Sequence, residues 1–125
     1  MYCVLREGEY RVRDWVTQLR KGLLELCLLN LLRHGESYGY EIVQRLKKVE
    51  ALSVTESTVY PILSRLRKDG CLSVRSEPSP GGPPRRYFSL TRIGKAYLTE
   101  MNAHWEDLVE AVRRLQGGEE SDDGN

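Results

Sequence analysis

The 125-residue sequence predicts a mainly α-helical fold with a small β-hairpin. Apolar residues recur at steps of three and four in three segments of the first 70 residues, as in helices that bury one face. Two strand-like runs follow, separated by a segment rich in proline and glycine, which is the pattern of a hairpin. A longer helical pattern comes last. This order of elements is that of a winged helix-turn-helix with an added C-terminal helix.

The first helix is predicted from Trp15 to His34, after an N-terminal arm at residues 1–14 that shows no clear period. Apolar residues lie on nearly every side of this helix, so it must be covered from several directions. We therefore expect it to contact both its own domain and a partner subunit. Gly35 is the expected stop.

The second and third helices form the predicted helix-turn-helix. Ser37 is the expected N-cap of the second helix, which should run from about Tyr38 to Val49. Thr55 is the expected N-cap of the third helix, which should end near Asp69 before a glycine. The third helix is the one we expect to enter a groove of DNA.

The third helix has an ambiguous start and an internal proline. Ser53 and Glu56 also match a capping box, which would shift the start of the helix by about two residues. Pro61 lies inside the helix, where it removes one backbone hydrogen bond. We expect a local bend at that position.

The hairpin is predicted from two runs that read as strands, Cys71–Glu77 and Arg86–Leu90. Of the eight residues between them, the first seven, 78–84, are all proline, glycine or serine and predict a loop. This hairpin is the wing, and it closes a winged-helix domain at residues 15–90.

The last helix, predicted for residues 91–116 with Thr91 as its cap, carries a heptad pattern. Its six apolar positions alternate at spacings of three and four: Leu98, Met101, Trp105, Leu108, Val112 and Leu115. Such a seam favours a partner helix and therefore a homodimer. The alternative is that the seam packs on its own domain. An acidic tail at residues 117–125 is expected to be disordered.

The net charge of +1 is unevenly distributed. The tail holds four acidic residues and no basic one, whereas residues 57–95 hold eight basic and two acidic residues, a net charge of +6. A local basic excess suits a polyanion such as nucleic acid. There is no apolar run of membrane-spanning length and no leader-like start, so we expect a cytoplasmic protein that does not enter membranes.

Enzyme and metal chemistry have little support in the sequence. It contains no nucleophile elbow, zinc-protease helix or phosphate loop, so we expect no enzyme and no cofactor. A metal-sensing regulator is an alternative, with ligands drawn from Cys27, Cys71, His34 and His104, although no close pair of ligands is present. A winged-helix module that binds protein is a further alternative.

Double-stranded DNA is the partner that the pattern favours most, because its major groove admits one helix. Short polar groups and one phenol on the third helix are the predicted contacts, extended toward the phosphates by longer ones: Glu56, Ser57, Thr58, Tyr60, Ser64, Arg65 and Lys68. Arg85 and Arg86 on the wing could grip phosphate or enter the minor groove. The alternatives are plain solvation, a salt bridge across the hairpin for one wing arginine, and a core position for Tyr60.

The sequence resembles the PadR family of regulators in several blocks. The first-helix block is Leu19–Leu26, the second-helix block Tyr38–Ile42 and the third-helix block Glu56–Pro61, in which the family also carries the proline. The segment Gly81–Phe88, followed by Leu90, Thr91 and Gly94, is similar to the family's wing and entry to the last helix. The likeness covers about residues 17–98.

This resemblance implies a homodimeric winged-helix repressor of the subfamily with a short C-terminal helix. It implies that DNA is faced by Tyr40, Ser57, Thr58, Tyr60, Gly82, Arg85 and Arg86. The first and last helices would build the dimer, which places Trp15 and Trp105 at the interface. Some members bind planar aromatic or cationic small molecules between subunits, so such an effector is an expectation here.

Overall fold

The computed structural model describes residues 8–117, with side chains from residue 11 onward. Four α-helices and three strands follow in the order α1 (Gly8–Leu32), β1 (Ser37–Tyr38), α2 (Gly39–Lys47), α3 (Glu56–Lys68), β2 (Leu72–Ser79), β3 (Gly82–Leu90) and α4 (Arg92–Leu115). A 3-10 turn at Glu50–Leu52 joins α2 to α3. The predicted class, a mainly helical winged helix-turn-helix with a long last helix, is confirmed.

Helix α1 begins at Gly8, inside the range predicted as an arm, and ends at Leu32. The charged residues of its first turns gave no apolar period, which is why the sequence placed the start later. Residues 1–7 of the predicted arm lie outside the described residues, as does the acidic tail beyond Gly117.

Strand β1 was not predicted, and it changes the role of Ser37. Ser37 is a buried strand residue paired with Phe88, and it accepts a hydrogen bond from Arg45 at 3.5 Å. The N-cap of α2 is Tyr38, whose backbone N–H is bonded to the carboxylate of Glu41 at 3.3 Å. A strand of two residues is too short to show a period, so only its distant partner defines it.

The three strands form one antiparallel sheet in the order β1-β3-β2. The predicted seven-residue loop is wrong, because β2 and β3 extend through most of it and pair up to Ser79 and Gly82. Only Pro80 and Gly81 remain in the turn, where Gly81 has a φ of +68°, a conformation that suits glycine. A register shift between Glu77 and Ser79 accommodates Pro78 in the strand.

The core lies between α1, α2, α3 and the sheet. Its fully buried side chains come from all three helices: Leu28, Leu29, Leu32, Ile42, Val43, Val59, Leu63 and Leu66. Phe88 of β3 and Leu98 of α4 extend this cluster to the sheet and the last helix. Helix α3 runs without a break through Pro61 and has the predicted N-cap Thr55, and it buries Val59, Leu63 and Leu66. The core therefore fixes α3 with its opposite side in solvent.

The start of α4 is tied closely to the end of the helix-turn-helix. The hydroxyl of Thr91 donates to the carbonyl of Gly70 at 2.6 Å and accepts from the backbone N–H of Gly94 at 3.0 Å, which makes it the predicted N-cap. A Cβ at Gly94 would overlap the carbonyl oxygen of Cys71, so only glycine allows this approach. Further along, the amides of Asn30 and Asn102 exchange two hydrogen bonds of 3.0 Å between α1 and α4.

None of the helices within residues 8–117 combines the length and apolar character that a membrane span requires.

Candidate nucleic-acid interface

The first turn of α3 presents an ordered set of hydroxyl groups to solvent. Thr55 lies 3.0 Å from Ser57 and 3.1 Å from Thr58, measured between hydroxyl oxygens. All three residues are exposed, as is Glu56 beside them. The start of a helix carries free N–H groups and a partial positive charge, which favour an anion such as phosphate. The hydroxyl groups are therefore held where they can donate to phosphate or to base edges.

The outer side of α3 continues this polar surface. Tyr60 is 41% exposed, which excludes the core position that the sequence left open for it. One edge of its ring packs over Gly39, where a Cβ would lie 3.5 Å from the ring. Burial of this edge, together with the nearby Glu56, raises the pKa of the Tyr60 phenol. The phenol thus stays protonated and able to donate a hydrogen bond.

A groove of about 340 Å³ separates α3 from the wing. Aromatic and basic side chains dominate its walls, which are formed by Tyr38, Gly39, Tyr40, Tyr60, Leu63, Ser64, Arg67, Pro84, Arg86 and Phe88. The groove thus brings together residues of α2, α3 and the wing that the sequence predicted separately, among them Tyr40, which is 53% exposed.

Arg67 is a residue of this groove that the sequence analysis missed. It follows Tyr60 and Ser64 at i+7 and i+3, so the three share one side of α3. This spacing was the sequence signal from which Arg67 could have been predicted as a residue of the groove. Lys68 is also exposed, next to a second cavity lined by Pro61, Ser64, Arg65, Arg67 and Lys68.

The two wing arginines are exposed and lie over aromatic rings. The guanidinium carbon of Arg85 is 5.0 Å from the centroid of the Tyr38 ring, and that of Arg86 is 5.8 Å from the Phe88 ring. Among the residues with described side chains, neither guanidinium is paired with a carboxylate. Their positive charges are therefore free to attract phosphate. Gly82 lies next to them, exposed, at the turn of the wing.

Among the described side chains no salt bridge crosses the hairpin, and the ion pairs of the wing are made by Arg75. Glu77 lies opposite Arg85 in the sheet, but its carboxylate binds Arg75 on its own strand at 2.6 Å. Arg75 also binds both carboxylate oxygens of Glu36, at 3.0 and 2.6 Å, and its guanidinium lies 4.6 Å from the centroid of Tyr87. These contacts lower the pKa of Glu36 and raise that of Arg75. Arg75 therefore links the wing to the loop that follows α1.

Arg65 differs from the other predicted contacts of α3. Its guanidinium donates to the carboxylate of Glu25 on α1 at 2.7 Å and lies 3.8 Å from that of Asp69. The hydrogen bond to Glu25 raises the pKa of Arg65. Its side chain stays half exposed, yet its charge is already matched by two carboxylates.

The predicted dimer seam of α4 divides into two parts. Leu98 is buried and Met101 is half-buried against the domain's own core. The four later positions are exposed in the single chain: Trp105, Leu108, Val112 and Leu115, at 39%, 60%, 55% and 88%. The alternative of packing on the same domain therefore holds for the start of the seam only.

A second exposed apolar row lies on α1, the helix against which α4 packs. It consists of Val12, Trp15 and Leu19, which are 60%, 63% and 43% exposed. Residues at these spacings share one side of a helix. Both elements predicted to form the dimer thus expose apolar side chains.

The four candidate metal ligands do not form a site. Among the residues that the structure describes, no three histidine, cysteine or acidic side chains come together as a metal would require. Burial raises the pKa of the Cys27 and Cys71 thiols, which disfavours the thiolate that binds metal. Both cysteines are instead part of the apolar packing.

Comparison with known proteins gives consistent matches. A family model described as the transcriptional regulator PadR-like family matches residues 28–100. The chain is 31% identical over 108 residues to the transcriptional regulator Rv3488 of Mycobacterium tuberculosis, which covers 86% of this chain and 96% of that protein. It is 28% identical over 93 residues to the negative transcriptional regulator PadR of Bacillus subtilis, which covers 73% of this chain and 51% of that protein.

Solved structures extend the likeness to the fold. The structure of a PadR family transcriptional regulator from Eggerthella lenta matches with a TM-score of 0.77 at 31% identity, over 87% of this chain and 95% of that one. A PadR-like transcriptional regulator from Bacillus cereus matches with a TM-score of 0.71 at 34% identity, over 82% and 99%. The matched segment 28–100 contains α2, α3 and the wing, and therefore the whole of the groove.

Proposed function

Because the chain belongs to the PadR-like family of transcriptional regulators, we propose that it is a homodimer that represses transcription by binding a near-palindromic operator in double-stranded DNA. DNA-binding regulation is the function of this family. What is proposed for this chain is the dimer, the direction of regulation and the residues that touch DNA. The Bacillus subtilis relative is named a negative transcriptional regulator, which supports repression.

The observation that carries the proposal is the groove between α3 and the wing. One side of α3 offers Ser57, Thr58 and Tyr60, and the wing offers Arg85 and Arg86 with no carboxylate on either in the described part of the chain. In this arrangement α3 enters the major groove and its hydroxyl groups approach the base edges. The wing follows the phosphate backbone toward the minor groove, where arginine reads groove width.

The dimer is supported by the two exposed apolar rows. Val12, Trp15 and Leu19 on α1 and the end of the α4 seam would be covered by the same elements of a second copy. Two α3 helices would then reach successive major grooves, with half-sites about 34–36 Å apart.

A small-molecule effector is the further part of the proposal. Trp105 is 39% exposed within the seam, and Trp15 is 63% exposed on α1. In a dimer these rings would offer flat apolar surfaces between the subunits, suited to a planar aromatic or cationic compound. Occupancy by such a compound would alter the α4 packing and so the spacing of the α3 helices.

The wing is tested by its contribution to salt dependence. Each phosphate contact contributes about 0.9 to the slope of log affinity against log salt concentration. Removing both charges in the double variant Arg85→Ala, Arg86→Ala should therefore weaken binding to a selected operator and lower the slope by about 2.

The matched control is Arg113→Ala. Arg113 is exposed in the last turn of α4. It lies roughly 30 Å along the helix axis from Arg92, where α4 begins after the wing strand β3. Its removal should leave both affinity and slope near the wild-type values. If the wing variant also keeps the wild-type slope, the wing does not contact phosphate and this part of the proposal is rejected.

A further inference from the structure

Glu25 joins three helices through one carboxylate. It lies on α1 with only 16% of its side chain exposed. One oxygen, Oε1, accepts a hydrogen bond from the Arg65 guanidinium of α3 at 2.7 Å. The other, Oε2, accepts from the Tyr97 hydroxyl of α4 at 2.9 Å. Both oxygens are therefore engaged, each by a different helix.

The two helices joined in this way have different tasks in the proposed function. Helix α3 carries the DNA-facing groups, and α4 carries the seam that would hold the second subunit. Helix α3 packs against α2 and β2, whereas α4 packs against α1 and β3. The Glu25 carboxylate is thus a polar bridge between α3, the proposed DNA-reading helix, and α4, the proposed dimer helix. A rotation of either helix would lengthen one of its two hydrogen bonds.

The charges around Arg65 set it apart from its neighbour Lys68. Arg65 has Glu25 at 2.7 Å and Asp69 at 3.8 Å, so two negative charges oppose its one positive charge. Lys68 is exposed, and in the described part of the chain no carboxylate is bonded to it. Arg65 would have to give up a charge-assisted hydrogen bond before it could bind phosphate, whereas Lys68 would not. The hydrogen bond to Glu25 also raises the pKa values of Arg65 and Tyr97.

We propose that Glu25 and Arg65 are positioning residues, which fix the orientation of α3 relative to α4 and so the separation of the two α3 helices in the dimer. Arg65, although it lies on the DNA-facing helix, acts through Glu25 and does not bind phosphate. This inference rests on the proposed function for its biological effect, but the helix orientation itself can be measured without DNA.

The first test compares Arg65→Met with the matched variant Lys68→Met in operator binding. The two changes remove one positive charge each, at positions three residues apart on α3. Arg65→Met should keep the wild-type salt slope, whereas Lys68→Met should lower it by about 0.9. Arg65→Met should also reduce the discrimination against operators with one base pair inserted between half-sites by about tenfold. If Arg65→Met lowers the slope by about 0.9 with the spacing preference intact, Arg65 is a phosphate contact and the inference is overturned.

The second test does not depend on DNA or on dimerisation. Nitroxide labels are placed at Lys68 on α3 and at the exposed Asp107 on α4, in a chain whose three native cysteines are replaced by alanine and which is diluted in unlabelled protein. Double electron–electron resonance then reports the distance between α3 and α4 within one chain. With Glu25 present the distribution should be narrow.

Glu25→Gln removes the charge while keeping the size of the side chain, and should broaden or shift this distribution. Circular dichroism and thermal melting confirm that the variant is folded. An unchanged distribution would overturn the inference whatever the protein binds. If the wild type binds no operator but Glu25→Gln changes the distance distribution, the proposed function is rejected and the Glu25 bridge between α3 and α4 is retained.

Discussion

Tyr38 holds together the start of α2, the sheet and the wing. Its ring lies 5.7 Å from that of Tyr87 and 6.3 Å from that of Tyr40, measured between centroids. The Arg85 guanidinium lies over the same ring at 5.0 Å. A cation held over an aromatic face keeps its charge while losing freedom of movement. If Arg85 contacts DNA as proposed, its position over Tyr38 would reduce the entropy lost on binding.

Trp105 provides the test of the effector at the residue scale. If planar aromatic cations bind beside it in the dimer, titration with a panel of such compounds should quench its fluorescence. Trp15 also emits and belongs to the same proposed surface, so the wild type is titrated beside the Trp15→Phe variant, in which only Trp105 emits. Quenching that saturates, and that is lost in a monomeric variant, is the expected result. A flat titration over the whole panel would contradict the effector proposal.

The exposure of most predicted contact residues on α3 could be read from the sequence, but that of Tyr60 and the partners of all of them could not. Ser64 and Lys68 lie on the solvent side of α3 because Val59, Leu63 and Leu66 bury the other side, and a period of 3.6 residues shows both. The bridges from Glu36 to Arg75 and from Glu25 to Arg65 join residues 39 and 40 positions apart. No local pattern connects such positions, so the ion pair of Arg65 with Glu25 appeared only in the structure.

At the scale of elements, α4 is one helix with two environments. Its first turns are fixed to the domain by Thr91, Gly94 and Leu98, and its later turns expose the rest of the seam. The heptad pattern correctly predicted a continuous apolar row. It could not show where the row leaves its own domain, because that depends on how far α1 extends beside it. The exposed part is the candidate contact with a second copy.

Leu108→Asp tests the role of α4 directly. Leu108 is 60% exposed in the single chain, so an aspartate there should not disturb the fold of the monomer. In a dimer it would place a buried, unpaired charge in the seam, which is strongly unfavourable. We expect sedimentation equilibrium to show a change from about twice 14.4 kDa to 14.4 kDa, with the helical circular dichroism signal retained.

Ala103→Asp is the matched control for that variant. It introduces the same charge on the same helix at an exposed position outside the heptad seam, and should remain dimeric. A Leu108→Asp protein that stays dimeric would show that the subunits associate through another surface.

The wing illustrates why some elements were predicted only in part. Prolines disfavour a central strand, so residues 78–84 read as a loop. In the structure β2, which contains Pro78, lies at an edge of the sheet. A residue of an edge strand that faces solvent needs no N–H group for the sheet, so proline is tolerated there. Strand β3 is central and still contains Pro83 and Pro84, but it reaches past the two-residue strand β1 there, so only one side is paired. Strand order, which the sequence does not display, decides what these prolines permit.

At the scale of the whole molecule, α3, the wing and α4 belong to one DNA-binding domain and are joined by short connections. The reading helix follows from the helical period and the wing from the hairpin pattern, so the architecture could be predicted. The separation of two such domains could not, because it depends on how the exposed rows of α1 and α4 would meet in the proposed dimer. The distance between the two half-sites of an operator would match that separation.

Selection of bound sequences from a pool of random duplexes by the purified protein tests the central claim most directly. We expect a recurring near-palindrome whose half-site centres are about 34–36 Å apart, one turn of DNA. Such a sequence would show that two α3 helices read successive major grooves as a symmetric pair. Binding that is sensitive to salt but blind to sequence, or no binding at all, would contradict the account of a sequence-specific dimer.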